Sequence, residues 1–211
     1  MNALYVQYGC GLSAPEQWVN YDVSPTLRVQ KIPLAGKLLR KKLNVRFPDN
    51  VRYGDIIKGL PVADNSCDGV YCSHTLEHFA LHDFRKALQN TYRILKPGGI
   101  FRCVVPDLEM AAKEYIRELE SGNPQASILF LEETLLGMKE RPVSVIDVFR
   151  MRLGGLTHLW MWDHQSLAEE LRKAGFQSVR KCLFNDSTDP MFIHVEDQNR
   201  FREAVAIECT K

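Results

Sequence analysis

The sequence predicts an α/β fold, because segments typical of strands alternate along the chain with segments typical of helices. Near the N-terminus an apolar strand leads directly into the turn Gly9-Cys10-Gly11, and a second short strand ends on Asp22. Glycine has no Cβ and adopts positive φ at little cost, so backbone there can approach a ligand closely. An acid at the end of the neighbouring strand can accept hydrogen bonds from a ribose diol. Together these features predict a nucleotide-type cofactor site.

Seven apolar or alternating segments are predicted to be strands. They are Ala3–Tyr8, Trp18–Val23, Val51–Tyr53, Asp68–Cys72, Gly99–Val105, Val179–Phe184 and Ala204–Cys209. Apolar residues near helical spacing predict a helix over Asp83–Leu95, which the turn Lys96-Pro97-Gly98-Gly99 ends. A second helix is predicted over Gln165–Ala174, where Ser166 and Glu169 resemble a capping box. No repeat or low-complexity linker divides this series, so a single domain over residues 1–211 is predicted.

Bulk composition excludes several classes of protein. Basic residues number 27 and acidic residues 26, so no overall charge draws the chain to nucleic acid. No apolar run approaches the roughly 18 residues of a membrane span, and no signal peptide is recognised, which predicts a cytoplasmic protein. The 6 cysteines form no C-x-x-C pair, so we expect them to be reduced. No carboxylate or histidine cluster shows metal-ligand spacing, so no metal site is predicted.

Two segments extend beyond the minimal sheet. Thr26–Asn50 is basic, and leucines within Lys37–Arg46 would give a helix an apolar side suited to an anionic membrane surface or an acidic glycan. A solvated helix that packs its leucines inward is the alternative interpretation. Pro106–Trp162 is a long and largely helical insertion. Because α/β folds build substrate sites at the carboxyl ends of strands, this insertion is predicted to form the substrate side.

Six partial motifs occur in a characteristic order. They are Tyr8-Gly9-Cys10-Gly11, Asp22 after the second strand, Gly54-Asp55-Ile56, the stretch L-P-V-A-D-N-S-C-D-G-V from Leu60, the stretch S-H-T-L-E-H-F from Ser73, and R-I-L-K-P-G-G from Arg93. In this order they resemble class I S-adenosylmethionine-dependent methyltransferases over almost the whole chain. The resemblance implies a three-layer Rossmann-like fold with a seven-stranded, mostly parallel sheet whose last strand is antiparallel. It also implies S-adenosylmethionine as the cofactor.

The resemblance also implies roles for individual residues and a class of acceptor. The residues implied in cofactor binding are Gly9, Gly11, Asp22, Asp55, Ile56 and Ser73. The motifs G-C-G, W-V-N-x-D and S-H-x-L-E-H, with the late H-L-W-M-W-D of His158–Asp163, resemble a bacterial and archaeal branch associated with polysaccharide or lipopolysaccharide biosynthesis. The acceptor implied by that branch is a sugar hydroxyl of a glycan precursor, and a small metabolite is the open alternative.

The chain departs from that family between Gly11 and Asp22, which are separated by only ten residues, Pro15 among them. A crossover helix does not fit into this length, so we predict a turn or a loop there. This departure motivates an alternative function, a catalytically inactive methyltransferase-like subunit for binding or assembly. NAD binding is the poorer interpretation, since a dinucleotide fold needs Gly-x-Gly-x-x-Gly and an acid about 20 residues further on.

His74, His78 and His158 are the predicted catalytic residues. The first two follow the fourth strand, where the reaction centre of the family lies. A histidine is a usual general base toward a hydroxyl acceptor. The alternative is that these side chains are structural or only contact the cofactor.

The residues around His158 allow two interpretations. Trp160 and Trp162 either line an acceptor pocket, since Trp commonly stacks on sugar faces, or pack the insertion onto the sheet. In the second interpretation Asp163 caps the following helix. Asp107, which follows the fifth strand, is likewise expected to cap the first helix of the insertion.

Overall fold

The computed structural model describes residues 3–32, 45–140 and 157–211. The strands in these ranges are β1 Tyr5–Tyr8, β2 Val19–Asp22, β3 Val51–Tyr53, β4 Cys67–Ser73, β5 Leu95–Pro106, β6 Gln177–Lys181 and β7 Ala204–Thr210. They form one sheet in the order β3-β2-β1-β4-β5-β7-β6. Strand β7 runs antiparallel to β5 and β6, and the other pairs are parallel. The predicted fold class is confirmed, including the antiparallel last strand.

Five α-helices occur within the described ranges. They are α1 Pro25–Gln30, α2 Leu81–Ile94, α3 Leu108–Glu120, α4 Ala126–Glu133 and α5 His164–Lys173. Short 3₁₀ helices cover Leu76–His78, Pro190–His194 and Gln198–Phe201. None of the helices in these ranges has the length and apolar character that a membrane crossing requires. Gly11 and β2 are joined without a helix, as the short connection predicts.

The two faces of the sheet are covered differently. On one face, α2 and α5 bury apolar residues such as Phe84 and Leu167 against the strands. On the other face, Trp18, Tyr71 and Phe192 pack with their rings 5.3–6.5 Å apart. Side chains alternate between the faces because successive residues of a strand point to opposite sides. The second face is therefore covered here by a loop and a 3₁₀ helix.

Asp107 and Asp163 begin the two helices next to the carboxyl edge of the sheet. Asp107 Oδ1 accepts the N–H of Glu109 at 2.8 Å, and Asp163 Oδ1 accepts the N–H of Ser166 at 2.8 Å. Both caps agree with the sequence interpretation. The predicted capping box from Ser166 is wrong, because α5 starts earlier and Asp163 already satisfies its free N–H groups.

The two extra segments are described only in part. Helices α3 and α4 lie in the predicted insertion 106–162, of which residues 141–156 fall outside the described ranges. Most of Lys37–Arg46 also lies outside them, so the predicted membrane or glycan contact of that stretch stays a prediction. The two described ends of the basic segment contact each other, since Lys31 donates to the carbonyl of Asp49 at 2.9 Å.

Candidate functional site

The glycine turn, the acid and two of the predicted histidines meet at one edge of the sheet. Strand β1 lies between β2 and β4 in parallel register, so the residues that follow these three strands share the carboxyl edge. Gly9 has φ +64° and Gly11 has φ +55°, the left-handed region that favours glycine. This edge is where open α/β sheets bind their ligands.

The two glycines have different surroundings. A Cβ at Gly9 would collide with the side chain of Thr75, whose Oγ1 lies 3.5 Å from the carbonyl oxygen of Gly9. Around Gly11 no atom lies within 4 Å of the corresponding position. Gly9 is thus needed for packing against the segment after β4, and Gly11 leaves open space for a ligand.

Asp22 is held in place by backbone donors. Its Oδ2 accepts the N–H of Gly11 at 2.9 Å, and its Oδ1 accepts the N–H of Ser24 at 2.7 Å. Each carboxylate oxygen has two lone pairs, so both retain one for a further donor. A carboxylate oriented this way beside open backbone fits a ribose diol.

The remaining residues implied in cofactor binding are placed less uniformly. Asp55 follows β3 and accepts the N–H of Ile57 at 3.0 Å, which makes it a turn residue at the same edge. Ser73 is the last residue of β4. Ile56 is only 4% exposed and packs in the main core, so its observed role is packing, and a cofactor contact stays a prediction.

Three exposed apolar side chains at this edge were not singled out from the sequence. Leu12 follows the glycine turn, Val23 follows Asp22, and Tyr53 ends β3. Their exposure ranges from 39% to 58%. Apolar surface beside Asp22 suits a flat heterocycle such as adenine. The sequence signal was present in each case, an apolar residue directly after a strand or turn where the chain becomes exposed.

The segment after β4 surrounds a buried carboxylate. Glu77 is completely buried in the short helix Leu76–His78, and burial raises the pKa of its carboxyl to about 8. His74, at φ +48°, places Nδ1 3.5 Å from Glu77 Oε1, and its Nε2 lies 2.8 Å from the carbonyl of Arg200. A carbonyl only accepts, so His74 Nε2 carries the proton. Burial lowers the pKa of His74, which favours the neutral ring.

His78 and His158 complete the cluster. Their rings stack edge to face with centroids 5.1 Å apart, and His78 Nε2 lies 3.9 Å from Glu77 Oε1. Burial also lowers the pKa of His158. All three predicted catalytic histidines are therefore gathered around Glu77. The sequence did not indicate that His158 joins the other two, because it lies eighty residues after His78 in the chain.

Backbone hydrogen bonds attach the segment of His158 to the segment of Glu77. The N–H groups of Leu159 and Trp160 donate to the carbonyl of Glu77 at 2.8 and 3.1 Å. Trp162 is buried and stacks on Phe84 of α2 with ring centroids 4.3 Å apart. Trp162 thus packs the insertion onto the sheet, whereas Trp160 is 40% exposed.

A cleft of about 610 Å³ opens beside the cluster. His74 contributes to one wall, α3 supplies Met110 and Arg117, and Thr134 lies at the end of α4. The insertion therefore supplies much of the lining, as the sequence predicts for the substrate side. The glycine turn, the histidine cluster and this cleft follow one another along the carboxyl edge.

Part of the chain matches a known family of proteins. Residues 6–103 match a methyltransferase domain. The match spans β1 to β5 and includes the glycine turn, Asp22 and the cluster residues up to His78, while His158 lies beyond it. It supports the predicted enzyme class, an S-adenosylmethionine-dependent methyltransferase, and the predicted cofactor.

One curated relative is similar over part of the chain. The chain is 37% identical over 86 residues to a demethylmenaquinone methyltransferase of Corynebacterium efficiens. The similarity covers 35% of this chain and 36% of that relative. The chain therefore matches only about a third of the length of this relative.

Two solved structures resemble the whole chain. A SAM-dependent methyltransferase from Archaeoglobus fulgidus superposes with a TM-score of 0.52 at 16% identity, over 99% of this chain and 86% of that chain. One from Thermotoga maritima gives a TM-score of 0.50 at 21% identity, over 100% and 83%. At these identities the likeness shows the fold. None of the three proteins is described by a role in polysaccharide biosynthesis, so the glycan-precursor acceptor stays a prediction.

Proposed function

We propose that the chain transfers a methyl group from S-adenosylmethionine to a hydroxyl group of a small-molecule or glycan-precursor acceptor. The observation that carries this proposal is the contact of Thr75 with Gly9. It joins the turn implied in cofactor binding directly to the segment that bears His74, Glu77 and His78. A group bound at the turn and an acceptor that enters from the adjoining cleft would thus both lie next to the histidine cluster.

The residues at the edge fit the cofactor in three respects. Gly11 has open space where a side chain would stand, which lets the methionine portion approach the backbone. Asp22 keeps lone pairs for the ribose hydroxyls. Leu12 and Val23 offer exposed apolar surface for adenine. When bound there, S-adenosylmethionine supplies an electrophilic methyl group.

The cluster supplies a proton acceptor for the hydroxyl of the acceptor. His78 Nδ1 lies 3.0 Å from the carbonyl of Thr157, so Nδ1 carries the proton and Nε2 keeps a lone pair. The hydroxyl proton passes to Nε2, and Glu77 at 3.9 Å stabilises the resulting imidazolium when it is ionised. The sequence similarity to a demethylmenaquinone methyltransferase keeps a quinone-like ring system among the acceptors to be screened.

Calorimetric titration of S-adenosylmethionine and S-adenosylhomocysteine tests the proposal. We expect micromolar binding to the wild type and none with NAD. Asp22→Ala removes charge-assisted hydrogen bonds worth about 1.5–3 kcal/mol each, so binding should weaken by about 10- to 100-fold. Asp64→Ala is the matched control, because Asp64 precedes β4 and lies at the opposite edge of the sheet.

Turnover is measured as S-adenosylhomocysteine release over a panel of hydroxylated acceptors. Activity in the wild type that falls in His78→Ala supports the proposal. Cofactor binding with no turnover on any acceptor favours the alternative, an inactive subunit for binding or assembly. No cofactor binding at millimolar concentration would overturn both.

A further inference from the structure

Glu77 is the least satisfied polar group of the candidate site. Its side chain is completely buried, and among the described residues neither of its carboxylate oxygens has a hydrogen-bond donor. An ionised carboxylate without a partner in such surroundings costs several kcal/mol. In the role proposed above, His78 accepts the proton and Glu77 acts on it from 3.9 Å. Neither carboxylate oxygen of Glu77 gains a hydrogen bond in that role. Within the described ranges, this buried carboxyl group therefore has lone pairs available for a ligand.

Two histidine nitrogens converge on the same point. One ligand atom each from Glu77, His78 and His158 lie within 4.8 Å of one another. Nδ1 of His158 is buried and, in the described part of the chain, has no hydrogen-bond partner. Nε2 of His78 faces Glu77 Oε1 at 3.9 Å. Three electron-pair donors thus surround one small space.

A hydrogen bond fixes His78 in the tautomer that leaves its Nε2 free of a proton. His78 donates Nδ1–H to the carbonyl of Thr157 at 3.0 Å. Nδ1 of His158 makes no hydrogen bond within the described ranges, so its lone pair is available whenever that nitrogen is unprotonated. A histidine that ligates a metal commonly donates its other N–H to a carbonyl, which fixes the ring and raises its basicity.

We propose that Glu77, His78 and His158 bind one divalent transition-metal cation, with Zn²⁺ as the best-fitting ion. Two imidazole nitrogens and one carboxylate form a donor set of the kind that holds Zn²⁺ with a coordination position left open. An ion of Mg²⁺ type prefers a set made of oxygens only. The charge of the cation would pair with buried Glu77, for which the described residues provide no hydrogen-bond donor.

The geometry requires only a small closure. Ligand atoms on a tetrahedral zinc lie about 3.3 Å apart, given bond lengths of about 2.0–2.1 Å. The donors are separated by at most 4.8 Å, so side-chain rotations of about 1 Å bring them to the ion. No shift of the strands is needed, because His78 and His158 follow them in loops and short helical turns.

The site also deepens the proposed function, and this step rests on that function. A coordination position left open on the cation would suit an acceptor hydroxyl, whose pKa a divalent cation lowers. The cluster would then act on the hydroxyl through the cation, and the proton would leave to solvent instead of passing to His78. Metal binding itself does not depend on methyl transfer.

The test is metal binding by the tag-free chain of residues 1–211. The chain is stripped with EDTA, titrated with ZnCl₂ by calorimetry, and the bound metal is counted by mass spectrometry. We expect one Zn²⁺ per chain, no comparable binding of Mg²⁺, and binding weaker by about 100-fold or more in Glu77→Gln and in His158→Ala. His82→Ala is the matched control, since His82 is exposed on α2 and should leave the stoichiometry at one.

Two comparisons keep the outcomes separate. All 6 cysteines remain in both variants, so zinc held by thiols would bind equally to wild type and variants, which would overturn the inference. Should Glu77→Gln fail to fold by thermal unfolding, His158→Ala carries the same comparison. Titrating S-adenosylhomocysteine into the stripped protein reports on the cofactor alone: binding without a zinc site rejects the metal, and a zinc site without cofactor binding rejects the proposed function.

Discussion

The side chain of Thr75 occupies the space that a Cβ on Gly9 would need, and its Oγ1 lies 3.5 Å from the carbonyl oxygen of Gly9. Gly11, two residues further on, has no such neighbour. Both glycines have positive φ, so they share the conformational requirement and differ only in the space available.

Gly9→Ala should therefore destabilise the protein more than Gly11→Ala. The left-handed conformation costs about 1 kcal/mol at either position, and the clash with Thr75 adds about 1–3 kcal/mol at Gly9. Urea denaturation measures both differences. The cost of Gly9→Ala should shrink in a Thr75→Ala background, and an unchanged cost would show that the two residues do not touch.

Replacing Trp162 should also destabilise the protein more than replacing Trp160. Trp162 is 3% exposed and stacks on Phe84, so Trp162→Ala should cost about 3–5 kcal/mol. Trp160 is 40% exposed, so Trp160→Ala should lower the free energy of unfolding by less than about 1 kcal/mol. Chemical denaturation of the two variants compares them directly. Equal losses would mean that the insertion does not dock through Trp162.

Arg102 of β5 neutralises an acidic cluster formed by Glu208 of β7 and by Glu196 and Asp186, which lie between β6 and β7. Its guanidinium is 1% exposed and donates to Glu196 and to Glu208, both at 2.6 Å. Arg102→Met leaves these carboxylates buried without their partner and should cost about 3–5 kcal/mol. Arg180→Met removes an arginine that also contacts Glu208 but is 40% exposed, and should cost about 1 kcal/mol or less.

A double variant tests whether the unpaired charge of Glu196 causes part of the stability loss in Arg102→Met. Converting Glu196 to Gln in the Arg102→Met background removes one unpaired charge and should restore part of the stability, measured by the urea midpoint. A further loss instead of a recovery would indicate that Glu196 is stabilised by other donors.

Asp186 should make stability fall in acid. Burial tends to raise the pKa of its carboxyl, but hydrogen bonds from Arg180, from the N–H of Leu183 and from Arg102 outweigh it and lower the pKa from 3.8 to about 2. An acid whose pKa is lower in the folded state than in the unfolded state stabilises the fold at pH values above the unfolded-state pKa. This contribution is lost as pH falls from about 4 toward 2.

The variant Asp186→Asn isolates this contribution from those of the neighbouring acids. Glu208 also has a lowered pKa, whereas burial raises that of Glu196. We expect Asp186→Asn to be less stable than the wild type by about 1–2 kcal/mol at pH 7. The difference should narrow between pH 4 and pH 2 in urea titrations, and a constant gap would contradict the assignment.

The sheet was predictable because its signals are local. An apolar strand followed by a glycine turn, or by R-I-L-K-P-G-G, marks an element by neighbouring residues alone. Strand β6 shows the limit: it was predicted over Val179–Phe184 and forms over Gln177–Lys181. Arg180 projects into the acidic cluster with Arg102, a contact between distant residues that a local pattern does not contain.

The candidate site was predictable residue by residue but not as an arrangement. Each histidine was named from its position, yet the convergence with Glu77 depends on the backbone bonds that Leu159 and Trp160 make to the Glu77 carbonyl. Spacing in the sequence gave no sign of a metal-ligand set, because one donor comes from a segment eighty residues away. Ile56 was predicted from its motif to bind the cofactor; its side chain is buried in the core, and a cofactor contact stays a prediction.

The two backbone bonds from Leu159 and Trp160 to Glu77 connect two parts of the molecule that have different roles. Everything implied in holding the cofactor precedes residue 104, and His158, Trp160 and most of the cleft come afterwards. These two bonds are made by main-chain atoms, which every amino acid provides. The exposed side chains on the acceptor side can therefore be exchanged during evolution or design while both bonds persist, and a new acceptor then requires no change in the part implied in cofactor binding.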